Sequence, residues 1–336
     1  MARAWYISLA CALALAIAPV QAAEIDDLVA KAASQQPVLW YESSQPEQIA
    51  DVIKAFNKTW PKIRVQYVRI PGGNTIAARI IQETQANART ASLMTSGSTQ
   101  LHPLLERKLV LSRDWQALGV TREMPQTPYA IPVAASMFVG LYNSQKISAD
   151  KAPATWDDFI SKRFEGKLGT WVRPPGFVDL VELYGEDKTR DLLKRLVTLK
   201  PLLFPAPELI AQQIASGELD AGIGFFHSSQ PAIESGAPVA VKFLDPTPIN
   251  TIWGVVIEKG SNADGAQVLA AWLTTPEGAR IYEDATKRGN PWLKSTETAK
   301  RVGANRISQL PLMDMDKNRR LSDEFSKILS DIRAVP

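Results

Sequence analysis

Three times between Val38 and Arg107, an apolar or alternating run gives way to a polar loop and then to a helical pattern. Val38-Leu39-Trp40-Tyr41 reads as a buried strand closed by Glu42-Ser43-Ser44-Gln45-Pro46. Glu47–Thr59 follows, with Ile49, Val52, Ile53 and Phe56 on one helical face. Ile63–Ile70 alternates as a strand, Pro71-Gly72-Gly73-Asn74 breaks it, and Thr75–Gln85 is helical. Ala91–Thr95 is a third strand ending in Ser96-Gly97-Ser98, and Leu101–Arg107 is a third helix. A chain built this way has to fold as an α/β protein, with a parallel sheet and helices packed on it.

In such sheets ligands sit beyond the carboxyl ends of the strands, where helix N-termini point. The loops at those ends are Ser43-Ser44, Gly72-Gly73-Asn74-Thr75 and Ser96-Gly97-Ser98. Hydroxyls and backbone N–H groups of this kind suit an anion. Each loop taken alone is also what helix capping requires. Three on one edge favour a site made of Ser43, Ser44, Asn74, Ser96 and Ser98, with Arg69 at the end of the second strand.

The middle of the chain carries a second set of α/β elements. Tyr129–Val133 is extended, Met137–Asn143 is a strand, and Trp156–Arg163 is a helix with Thr155 as its N-cap. A short strand ends at Trp171, and Arg173-Pro174-Pro175-Gly176 opens another helix. Lys188–Thr198 and Glu208–Ser216 are helices, and Ala221–Phe226 is an apolar strand followed by the turn His227-Ser228-Ser229-Gln230-Pro231. Val239–Phe243 and Ile252–Ile257 are strands; Gln267–Leu273, Glu277–Thr286 and Asp316–Ile332 are helices. Arg173 can clamp a carboxylate or phosphate bidentately, or form a surface ion pair. Trp171, Phe226 and Trp253 supply apolar wall for a pocket, or core. His227 faces either a ligand or its own turn.

Met1–Ala22 has a basic start at Arg3, an apolar run from Ile7 to Ala18, and a small-x-small close at Val20-Gln21-Ala22. The run is shorter than the roughly 20 residues a spanning helix needs, so residues 1–22 read as a cleaved export signal and the protein as periplasmic. Cys11, the one cysteine, lies inside that run, with Ser8 where a lipoprotein signal has a Leu-type residue. The mature chain is expected to lack disulfides and thiolate metal sites. Loss of Arg3 lowers the formal charge from +3 to +2, too little to argue for nucleic acid or a membrane surface. The length of 336 residues suits two domains. No nucleophile elbow, P-loop, dinucleotide fingerprint or His-Glu-x-x-His occurs. With His102 and His227 as the only histidines, no catalytic set, metal site or cofactor is expected.

Several stretches carry a resemblance: VLWYESSQPEQIADVIKAFNK (Val38–Lys58), LLERKLV (Leu104–Val110), PVAASMFVGLYN (Pro132–Asn143), PATWDDFISKRFEGKLG (Pro153–Gly169), QQIASGELDAGI (Gln212–Ile223) and AAWLTTPEGARIYED (Ala270–Asp284). In order and spacing the chain resembles periplasmic solute-binding proteins of ABC importers, the family that includes the ferric-ion-binding proteins. The resemblance implies a type II periplasmic binding fold of two lobes, 23–130 plus 252–290 and 131–251 plus 291–336. It places hinge strands near 131–135 and 247–251. It also implies a monomer that closes on a small-molecule ligand and hands it to an ABC permease in the inner membrane. Ferric binders of the family carry adjacent tyrosines where this chain reads Gly224-Phe225-Phe226-His227. Phenylalanine offers no phenolate to a hard ferric ion. A small organic anion is therefore the expected ligand, with ferric iron, a ligand-presenting sensor role and a secreted enzyme as alternatives.

Overall fold

The computed structural model describes residues 23–71 and 75–331. The proposed export signal with Cys11, and the loop residues Gly72, Gly73 and Asn74, lie outside the described residues. The chain runs α1 (23–33), β1 (Val38–Glu42), α2 (Pro46–Thr59), β2 (Val65–Arg69), α3 (Thr75–Gln85), β3 (Leu93–Ser96) and α4 (Ser98–Glu106). There follow β4 (Ile131–Asn143), α5 (Trp156–Phe159), β5 (Leu168–Trp171), α6 (Pro175–Tyr184), α7 (Glu186–Thr198), β6 (Leu202–Phe204) and α8 (Glu208–Ala215). Next come β7 (Ala221–Phe225), α9 (Phe226–Glu234), β8 (Val239–Lys242), β9 (Thr247–Val256), α10 (Ala263–Leu273) and α11 (Pro276–Thr286). The path ends with α12 (Glu297–Val302), β10 (Ile307–Ser308) and α13 (Met315–Ser330). Two compact units divide it: residues up to Ala134 with Ile252–Thr286, and Ala135–Thr251 with the residues from Lys287 on. The chain changes unit within β4, within β9 and after α11.

In the first unit β2, β1 and β3 are parallel neighbours, and β9 joins β3 antiparallel, with Ser96 opposite Trp253. Every residue of β1 is buried, which is why its sequence is continuously apolar up to Glu42 rather than alternating. β2 lies at the end of this strand order and keeps a mixed exposure pattern. α2 buries Ile49, Val52 and Phe56, and Phe56 meets Trp272 of α10 edge-on at 5.5 Å between ring centroids.

In the second unit β6, β5 and β7 are parallel, while β4 runs antiparallel to both β7 and β8. Phe138 on β4 anchors the core against Trp156, Phe177 and Phe225. Gly140, two residues on, has no room for more: a Cβ there would fall within the ring of Phe159. α5 begins as its sequence predicts. The Thr155 hydroxyl accepts from Asp158 N at 3.1 Å, and the Asp158 carboxylate accepts from Thr155 N at 2.9 Å. α7 and α13 are tied by Arg190 to Glu324 (2.5 Å) and Arg320 to Glu186 (2.6 Å).

Several element boundaries differ from the sequence reading. The runs at 129–133 and 137–143 are parts of one strand, β4, whose thirteen residues are all buried. α5 stops at Phe159 instead of Arg163, and a 3-10 turn takes Lys162–Phe164. The most consequential difference is at His227. β7 ends at Phe225, and Phe226 opens a helix that continues through Pro231. Proline lacks the N–H that would bond four residues back and is disfavoured inside a helix. Here the Ser229 hydroxyl donates to Phe226 O at 2.7 Å and helps hold the first turn.

Candidate functional site

The strand ends of the first unit are organised by a carboxylate. Glu42 closes β1 and is 2% exposed. Its Oε2 accepts from Ser44 N at 2.9 Å, and its Oε1 accepts from the Ser44 hydroxyl at 2.9 Å. The Tyr67 hydroxyl on β2 lies 2.6 Å from Ser44 O and 3.1 Å from Glu42 Oε2. It has one proton, and the shorter contact takes it. Burial, and then the Glu42 carboxylate, push the Tyr67 phenol far above its usual range, so it remains a donor. Tyr282 of α11 adds a longer contact to Glu42 at 3.4 Å. Arg69 is exposed and donates to Ser43 O at 3.2 Å. Glu42, Tyr67 and Arg69 thus all hold the Ser43-Ser44 loop by hydrogen bonds.

The serines do not cap helices. Gln45 and Gly97 occupy the N-cap positions of α2 and α4, and Ser98 is already the first residue of α4. Ser44 is buried against Glu42, whereas Ser43, Ser96 and Ser98 are half-buried. Among the described residues the hydroxyls of Ser43, Ser96 and Ser98 have no hydrogen-bond partner. Trp253, opposite Ser96 in the ladder, is 2% exposed and belongs to the core in this structure, not to an open wall. Asn74 lies outside the described residues.

In the second unit Arg173, Trp171 and His227, all selected from sequence, are linked in a row through Phe225, which was not. The Arg173 guanidinium lies over the Trp171 ring at 5.5 Å. Trp171 meets Phe225 at 5.5 Å, and Phe225 meets His227 at 5.6 Å. Arg173 is exposed, and among the described residues it has neither a carboxylate nor a hydrogen-bond partner. Its N–H fork remains available to a ligand. Phe226 turns the other way. It is buried in the cluster with Ile210 and Ile249, tilted against Phe243 at 5.3 Å between ring centroids, with Arg301 over its face. His227 is half-buried. Its Nε2 lies 3.2 Å from an Arg288 terminal nitrogen and 3.3 Å from the Ser228 hydroxyl, which also reaches Glu208 at 3.4 Å. Its buried Nδ1 has no partner. Burial, and then the Arg288 charge, hold the imidazole well below its usual pKa, so it is neutral at pH 7.

Glu42, Tyr67 and Arg288 escaped the sequence reading. Glu42 stands at the boundary of an apolar run and a polar loop, which is a signal; Tyr67 and Arg288 have none in sequence. Among the described residues no group of three or more His, Cys, Asp or Glu side chains is arranged to hold a metal ion. No helix there is long and apolar enough to cross a membrane.

Two α/β units, with the chain passing between them inside β4 and β9 and polar groups at the strand ends, define the two-lobe type II fold of periplasmic binding proteins. Residues 42–280 match the family described as bacterial extracellular solute-binding protein, and the chain belongs to that family. A search of curated proteins finds no match. Among solved structures the chain is similar to the substrate-binding protein of an ABC transporter from Agrobacterium tumefaciens. That pair shares 18% identity with a TM-score of 0.71, covering 88% of this chain and 95% of that one. It is similar to ferric iron-binding protein A from Mannheimia haemolytica in an open conformation (16%, TM-score 0.71, 89% and 98% covered). It is also similar to the periplasmic binding protein AfuA from Actinobacillus pleuropneumoniae with fructose-6-phosphate bound (18%, TM-score 0.59, 88% and 97% covered). At these identities the likeness is one of fold.

Proposed function

We propose that this chain is the periplasmic substrate-binding component of an ABC importer and that its ligand is a small organic anion of the carboxylate, phosphate or phosphonate type. The observation that carries the reading is Arg173: an exposed guanidinium 5.5 Å over the Trp171 ring with none of its N–H groups spent on the described protein. A guanidinium so presented matches two oxygens of a carboxylate or phosphoryl group in one plane. In the first unit, Ser43, Ser96 and Ser98 carry unspent hydroxyls, which are neutral donors of the kind an oxyanion accepts from. β4 and β9, where the chain changes unit, serve as the hinge strands, and a ligand that favours one conformation shifts the population towards it. Export through the 1–22 signal, a monomeric state and delivery to a membrane permease complete the proposal.

Ferric iron is the ligand named for the Mannheimia protein. A hard ferric ion asks for anionic oxygens, and Phe225 and Phe226 offer none. A thermal-shift screen of organic acids, organophosphates, phosphonates, amines and Fe(III) tests the reading. Ligand at about a hundred times its Kd adds roughly 2.7 kcal/mol of stability. A shift with an anion supports the proposal; a shift with Fe(III) or amines alone refutes it.

A further inference from the structure

His227 Nε2 lies within hydrogen-bond distance of two groups of different chemistry, Arg288 and the Ser228 hydroxyl. Arg288 has only N–H donors and no acceptor, so a guanidinium nitrogen 3.2 Å from Nε2 requires the Nε2 lone pair to be free to accept. A neutral imidazole has one such lone pair, and its proton then sits on the other nitrogen. The Ser228 hydroxyl, 3.3 Å from the same Nε2, has a second outlet in Glu208 Oε1 at 3.4 Å, so it does not compete for that lone pair. The proton on Nδ1 therefore points from a buried atom that has no partner in the described protein. Leaving a buried N–H unpaired is unfavourable, and an incoming acceptor oxygen removes that penalty.

We propose that Arg288 is a positioning residue that locks His227 as the neutral Nδ1–H tautomer, so that the ring meets the ligand as a hydrogen-bond donor at one fixed atom. This deepens, and for the identity of the ligand rests on, the organic-anion reading above. The consequence is a narrower ligand class. A metal ion at His227 would need a lone pair, yet Arg288 occupies the one on Nε2 and the proton occupies Nδ1. An ammonium group would likewise find no acceptor. An unprotonated carboxylate or phosphoryl oxygen fits. The charged groups around the ring are Arg288 directly, Glu208 through Ser228, and Arg173 through the edge-to-face Trp171–Phe225 pair. No carboxylate among the described residues contacts the ring itself, so little favours the imidazolium.

Long-range proton–nitrogen correlation spectra of the uniformly labelled full-length protein report the state of each ring nitrogen. The chain has two histidines, and His227→Gln assigns the relevant signals by their loss. The expected result is a deprotonated Nε2 and a protonated Nδ1, unchanged from about pH 8 to about pH 5, below the ordinary histidine value of about 6.5. Arg288→Met should move the proton to Nε2 or let the ring titrate near that ordinary value, and Arg288→Lys, which keeps a donor, should retain the wild-type pattern. By calorimetry, Arg288→Met should bind whichever of citrate, inorganic phosphate and phosphonoacetate binds the wild type about tenfold more weakly. An Nε2–H ring in the wild type overturns the proposal even if Arg288→Met fails to fold. So does an Arg288→Met ring indistinguishable from wild type. If the spectra are as expected and none of the three anions binds, the organic-anion reading falls while the role of Arg288 stands.

Discussion

Replacing Glu42 with alanine tests the idea that a buried carboxylate builds the Ser43-Ser44 loop. The side chain is 2% exposed and receives two short hydrogen bonds, both at 2.9 Å and both from Ser44. A hydrogen bond to a charged group contributes about 1.5–3 kcal/mol. The two bonds share one donor residue, so the lower end applies to each, giving about 3 kcal/mol. Deleting a buried charge removes its desolvation penalty, which offsets part of this, while the stranded Ser44 N–H adds to it. Glu42→Ala should therefore destabilise by about 2–4 kcal/mol, a fall in Tm of roughly 3–6 °C for a chain of this size. Scanning calorimetry on the ligand-free protein reads it. Ser44→Ala and the double variant form a cycle that isolates the contact, with an expected coupling of about 1 kcal/mol. A Glu42→Ala protein that melts with the wild type, or strict additivity in the cycle, refutes the reasoning.

Other substitutions probe separate links. Arg173→Ala should weaken binding of the anion found in the screen by more than about tenfold, since the charge-assisted pair contributes about 1.5–3 kcal/mol; unchanged affinity by calorimetry removes Arg173 from the site. Asp179 on α6 is buried, and burial raises its carboxyl well above the usual range, with the Leu310 N–H opposing weakly. A raised acid binds its proton more tightly when folded, so its contribution is present at low pH and lost as pH rises through the folded value. Urea midpoints should accordingly show Asp179→Asn gaining on the wild type as pH rises above about 4; a constant difference would contradict this. Gly140→Ala should cost about 1–3 kcal/mol in urea denaturation, because the new methyl would overlap the Phe159 ring; a neutral result would mean that ring has room to move.

The architecture was legible because it depends on patterns that local sequence carries. Strand, loop and helix recur with the correct periods from Val38 onwards, and the Thr155-x-x-Asp158 box announces the start of α5. Where the reading slipped, a local signal was overruled by its surroundings. Pro231 looked like a terminus, yet α9 runs through it and a serine hydroxyl holds its first turn. Phe226 and Trp253 looked like pocket wall because they stand at strand ends, but the direction of a side chain at a strand–helix junction is set by tertiary packing, and both went to the core. Arg173 is selected in sequence because it stands alone between a strand and a Pro-Pro-Gly helix entry.

Arg288 shows why a site of this kind is only half-readable. It is 61 positions from His227 and lies past the last element of the other unit, in a stretch with no motif. His227 by itself is ambiguous: a neutral imidazole donates from either nitrogen and accepts at the other. The ambiguity ends only when a group that can never accept is set against one nitrogen, and that is a fact of tertiary structure. The same logic governs Glu42, whose partners come from β2, α11 and its own loop. Sequence reveals the groups that meet solvent at strand ends. The groups behind them decide which proton each one offers, and these are recruited from distant elements, so any anion selectivity this protein has should respond to substitutions at Glu42 and Arg288 as well as at Arg173.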